Sequence, residues 1–173
     1  MKKLLYVELV PQTCWFSNVR NHVTKPEWDT IRKSVFQKAA YRCEICGGKG
    51  EKWPVECHEI FEYDDKLKLQ TLVGMIALCP ACHQAKHFGL ARVLHTDKQA
   101  MCHLCEVNGW TIDQGVDHVN QQMTIGIERS QHEWTVDLQF LKNEFGIVIA
   151  EESAVTRAEY GKNPPPLLSK PKA

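Results

Sequence analysis

Uninterrupted hydrophobicity and net charge are what this chain has least of. No stretch comes near the ~20 consecutive apolar residues that a membrane-spanning helix needs, so no such span and no membrane partner is expected. Its 21 Lys and Arg offset 21 Asp and Glu, and the formal net charge is +0 at pH 7. Attraction to a polyanion can therefore come only from local imbalance. No secretory leader is expected either. "MKKLLYVELV" starts like one, but Glu8 interrupts a very short apolar run and no small-residue cleavage site follows. The expectation is a cytoplasmic protein, where thiols stay reduced. Eight cysteines in that compartment read as metal ligands rather than disulfides.

A chain of 173 residues, 43% of them hydrophobic, can bury a core of its own. Its charges are unevenly spread. Residues 1–50 hold nine Lys and Arg against four Asp and Glu, whereas residues 101–150 hold two against seven. The basic N-terminal third suits a polyanion, and the acidic later part suits a protein partner better than nucleic acid.

Local pattern predicts the elements. "KLLYVELVP" reads as a strand stopped by Pro11. "TKPEWDTIRKSVFQKAA" reads as an amphipathic helix, with a Thr24–Glu27 capping box, Pro26 in the first turn and a stripe of Trp28, Ile31, Val35 and Ala39. "KWPVECHEIF" and "QTLVGMIALC", separated by the polar "EYDDKLK", suggest a β-hairpin. Thr96 with Gln99 and Thr111 with Gln114 are two more capping boxes, and Gly109 between them ends the first of two helices forming a hairpin. A last short helix is expected from Asp137 to Gly146. The Pro-rich tail over 151–173 lacks a periodic apolar face and reads as disordered.

The strongest chemical signal is Cys43 and Cys46, in "CEICGGKG", with Cys79 and Cys82, in "CPAC". A tight turn at each pair can aim two thiolates at one ion, and two such pairs make the tetrahedral four-sulfur shell that zinc favours. The histidines of "LCPACHQAKH" remain free. On a helix beginning at the second pair, His83 and His87 are four residues apart and share a face. His58, in "VECHEIF", lies between the two cysteine pairs, so one zinc staple would bring a strand histidine toward two helix histidines.

"YRCEICGG", "VECHEIF" and "LCPACHQAKH" together resemble the HNH endonucleases, specifically the branch whose ββα-metal core is stapled by a four-cysteine zinc site. The resemblance covers about residues 26–90. It implies an α+β fold with a treble-clef-like ββα-metal core over 26–95. An N-terminal strand and polar loop would occupy 1–25, and a helical C-terminal subdomain 96–150. It further implies a structural Zn2+ on the four cysteines and a catalytic divalent ion (Mg2+, Mn2+, Ni2+ or Zn2+) on His58, His83 and His87. The substrate would be DNA, duplex or single-stranded, cut by hydrolysis. Such an ion neutralises charge developing on the phosphoryl oxygens and steadies the leaving group, while a neighbouring base activates water.

Two positions depart from the family pattern. The strand usually carries His-His or Asp-His, a metal ligand followed by the general base. Here the sequence is Cys57-His58-Glu59. Either His58 is the ligand and Glu59 the base, the preferred register, or Cys57 is the ligand and His58 the base. The family's bracing Asn, five residues before Cys79, is Gly74.

Other features suggest lesser roles. Arg20, Asn21 and Lys86 are candidate phosphate contacts, with Trp15 or Phe16 as stacking groups. Asp64 and Asp65 read as turn residues, with a role in metal binding as the alternative that their position near the site permits. Cys102 and Cys105 form a third CxxC that reads as helix-core packing, with a second zinc site or a redox pair as the alternatives. A zinc-stabilised nucleic-acid- or protein-binding module without catalysis is the competing function, supported by Gly74 and the missing second histidine.

Overall fold

The computed structural model describes residues 4–15 and 18–149. The tail expected to be disordered, 151–173, and Phe16 lie outside these residues. Helix α1 (Val19–His22) is opened by Asn18, whose Oδ1 accepts from the Asn21 amide. Helix α2 (Lys25–Lys38) carries the expected capping box. Glu27 Oε2 accepts from the Thr24 amide at 2.7 Å while Thr24 Oγ1 accepts from the Glu27 amide. Its Ile31 and Val35 are buried, with Trp28 and Ala39 packed beside them.

Strands β1 (Glu56–Asp64) and β2 (Leu69–Leu78) form the expected antiparallel hairpin. Asp64 Oδ1 accepts from the amides of Lys66 and Leu67 and closes its turn. A bulge falls at Ile60/Phe61, where Gly74 pairs Ile60 and Leu72 pairs Phe61, leaving Val73 over. On the site's side of the bulge the alternation is strict. His58, Ile76 and Leu78 face one way, and Cys57, Met75 and Ala77 the other. A short β3 (Thr135–Asp137), not anticipated from sequence, adds in parallel to β2, so the order is β1-β2-β3 and β1 is an edge.

The second half is helical: α3 (Pro80–Lys86), α4 (Phe88–Val93), α5 (Asp97–Asn108), α6 (Ile112–Arg129) and α7 (Gln139–Phe145). Gly109, at φ 69°, turns the chain between α5 and α6. Thr111 and Gln114 form the expected box. The Thr96 box does not form. Thr96 Oγ1 instead donates to Ala91 O and accepts from Gln84 Nε2, so it is spent on α4 and α3.

The two helices expected as a separate subdomain share a core with the rest. Ala100, Leu104, Val107, Val119 and Met123 pack in one cluster with Leu5, Val7, Ile76, Leu78 and Phe88. The N-terminal segment, expected as a strand, pairs with no strand among the described residues. Leu5 exchanges two hydrogen bonds with the side chain of Asn108, the Val7 amide donates to His118 Nε2, and the Glu8 amide donates to Lys86 O. Helix side chains and one helix carbonyl thus replace a ladder partner.

Candidate metal centres

The first knuckle is a tight turn. The Cys43 amide donates to Gly48 O, the Gly47 amide donates back to Cys43 O, and Gly47 sits at φ 76°, a conformation glycine adopts without strain. The second is the start of α3, where Pro80 opens the helix just after Cys79. One Sγ from each of Cys43, Cys46, Cys79 and Cys82 lies within 4.8 Å of the others, and Cys46 and Cys79 approach to 3.6 Å. Four Zn–S bonds of about 2.3 Å in a tetrahedron require S···S edges of about 3.8 Å. The cluster fits a structural ion such as zinc.

Its protonation chemistry agrees. Hydrogen bonds from Cys79 and Cys82 push the Cys43 thiol down, and as donors those two are pushed up, Cys79 to about 11. Four sulfurs this close can all be thiolates together only when a cation balances their charge, the protons leaving to solvent as it binds. His103 Nε2 lies 3.2 Å from Cys82 Sγ, so a histidine of α5 buttresses this site and ties the helical hairpin to it.

The second constellation is nitrogen-based. His58 from β1 and His83 and His87 from α3 and its end bring ligand nitrogens within 4.8 Å of one another. Ring centroids are 5.3, 4.8 and 4.6 Å apart. Burial, followed by the mutual proximity of the imidazoles, lowers His83 and holds His87 at about 3, so both are neutral bases. Imidazoles converging at this spacing could hold a metal ion.

Two carboxylates that sequence reading did not assign to the site support these rings. Glu56 Oε2 accepts from His83 Nδ1 at 2.6 Å, while its Oε1 accepts from Trp53 Nε1 at 2.7 Å. Glu8 Oε2 lies 3.1 Å from His58 Nε2 and 2.8 Å from Lys86 Nζ. Burial alone would raise Glu8, but the His58 hydrogen bond and the Lys86 charge outweigh it and hold the carboxyl at about 2. The signal for Glu8 was the charge that breaks "LLYVELV". Its partners lie 50 and 78 residues away.

Other candidate residues fall elsewhere. Cys57 is outside the imidazole group and packs with Met75 in the α2-side core, its thiol raised to about 12 by burial, so the geometry favours His58 as ligand. Glu59 follows Cys57 onto that opposite face, where burial raises its carboxyl against the lowering effects of His58 and the Val19 backbone. Arg20 is exposed on α1, and Asn21 is half-buried there. Lys86, expected to touch phosphate, is 2% exposed and ion-paired to Glu8, with Nζ 3.6 Å from the Tyr6 ring centre, so it has no free charge to offer DNA. Asp65 binds Arg129 through both oxygens and Asp64 closes the turn, which accounts for both without a metal. Cys105 is buried against Met101 and Cys102 is exposed; among the described residues neither joins a metal-ligating cluster.

Comparison of the chain with protein-family models, with curated proteins and with solved structures returns no match. Among the described residues, no helix is long and apolar enough to cross a membrane.

Proposed function

We propose that the protein is a metal-dependent endonuclease of the HNH type, hydrolysing DNA phosphodiester bonds with a divalent ion on His58, His83 and His87. The carrying observation is the convergence of these three imidazoles on a β-hairpin and helix whose junction also holds four sulfurs. In this reading the four-cysteine zinc fixes α3 against the hairpin. The second ion, when bound, supplies a Lewis acid at the scissile phosphate. The three histidines hold that ion, and Glu56 and Glu8 keep two of the rings aimed. Glu59 is the candidate base. It lies on the strand face opposite the imidazoles and takes a hydrogen bond from the Val19 backbone, so Glu59→Ala in the same cleavage assay tests whether it has that role.

The test is cleavage of supercoiled plasmid and of single-stranded DNA by zinc-loaded protein, with Mg2+, Mn2+ or Ni2+ added in turn. Metal-dependent nicking that His83→Ala abolishes, with the fold retained, is the expected result. Gly74 supports a second reading, a zinc-stabilised binding module without catalysis, since no amide side chain braces the strand at that position. Absence of cleavage by folded protein on every substrate and metal would favour that module.

A further inference from the structure

We propose that Glu8 is a positioning residue of the histidine site, fixing His58 so that its Nδ1, and not its Nε2, is the atom presented to the metal. The proposal rests on reading the three imidazoles as a metal site, and it concerns a segment outside the hairpin and helix. Glu8, His58 and Lys86 are each almost fully buried. A carboxylate ion-paired to an ammonium 2.8 Å away can only accept hydrogen bonds, so the His58 nitrogen 3.1 Å from the same oxygen must carry the hydrogen. That nitrogen is Nε2. The other, Nδ1, is buried without a hydrogen-bond partner and has an open lone pair. Buried polar atoms are seldom left so, and a metal ion is the partner that a lone pair beside two further imidazoles calls for.

His83 makes the complementary choice. Its Nδ1 is engaged by Glu56 at 2.6 Å, leaving Nε2 for the ion. The site would thus bind through Nδ1 of the strand histidine and Nε2 of the helix histidine, each set by its own carboxylate. Lys86 sits between the helix ligands in sequence and ion-pairs the same Glu8 oxygen that faces His58, locking Glu8 in place. The N-terminal segment is therefore part of the site, carried there by the bonds of Leu5 and Val7 to the helical hairpin.

Full-length protein is titrated with Co2+, the sulfur site being reported by its thiolate charge-transfer band and the nitrogen site by d–d absorption that grows without further charge-transfer intensity. In Glu8→Leu/Lys86→Met, which removes both charges and the acceptor of the His58 Nε2–H together, the sulfur band should persist as the control for folding. Affinity at the nitrogen site should fall about 10- to 100-fold. On zinc-loaded wild type, long-range 1H–15N spectra of the histidine rings should show a metal-bound Nδ1 and a protonated Nε2 for His58. Unchanged affinity in a variant that keeps the sulfur band would overturn the proposal, as would a metal-bound Nε2 on His58. If affinity falls and the ring signature holds in a protein that cuts nothing, the nuclease reading fails while this one stands; if wild type takes up no second ion, both fail.

Discussion

Replacing Lys86 by Met tests how the buried ion pair is held. The side chains of Lys86 and Glu8 are 3% and 8% exposed and their charged atoms are 2.8 Å apart. Removing one member of a buried pair leaves the other desolvated and unmatched, at a cost of about 3–5 kcal/mol. Glu8 itself is lowered from 4.5 to about 2, against the opposing effect of burial, by the His58 hydrogen bond and the Lys86 charge together. At about 1.4 kcal/mol per pH unit this is a few kcal/mol, shared between those two partners. Because the folded-state value is the lower one, that contribution is fully present above pH 4.5 and is lost as the pH falls toward 2. Urea unfolding of zinc-loaded protein, followed by tryptophan fluorescence at pH 7, is the assay. With a slope of about 2 kcal/mol per molar, Lys86→Met should lower the midpoint by about 2 M. The double variant Glu8→Gln/Lys86→Met should regain most of that loss, because no charge is left unmatched. A single variant as stable as wild type, or a double variant no better than the single, would refute the reasoning.

Three further outcomes are expected. Cys82→Ser should abolish tight zinc uptake and the cooperative unfolding transition, measured by zinc titration and circular dichroism, because α3 is too short to hold its shape alone. Gly126→Ala should destabilise by about 1 kcal/mol despite a better helix propensity, since the new Cβ would lie 2.9 Å from Leu9 Cβ; amide exchange at Val7 and Glu8 should quicken. In thiol labelling of zinc-loaded protein at pH 8, exposed Cys102 should react first. Cys14, raised by burial to about 11, should stay unreacted until the pH nears that value, the thiolate being the reactive form.

What was legible in the sequence was local or repetitive. Capping boxes at Thr24 and Thr111 act over three residues, the αL turn at Gly109 over one, and each formed. The paired CxxC knuckles and the i, i+4 histidines carry their geometry in their spacing, and both groups converge. Reading failed where a residue's partner was distant. "KLLYVELVP" has a strand's alternation, with Leu5 and Val7 buried, but whether a neighbouring strand or helix side chains satisfy its backbone depends on contacts more than a hundred residues away. Thr96 has the composition of a cap, yet Ala91 and Gln84 compete for its hydroxyl. Lys86 looks like any surface lysine until Glu8 is brought beside it. β3 is three residues long, and its pairing with β2 leaves no periodic trace.

Helix α3 runs only from Pro80 to Lys86, yet it is bounded by sulfur ligands at one end and imidazole ligands at the other. Two ions would thus share one short rod. Whatever order the first imposes on that helix is order the second need not provide, so loading the sulfur site must tighten the nitrogen site, and by reciprocity the second ion must slow the loss of the first. Losing either ion would then loosen the hold on the other, so that chelation would strip the two sites more cooperatively than if they lay on separate elements.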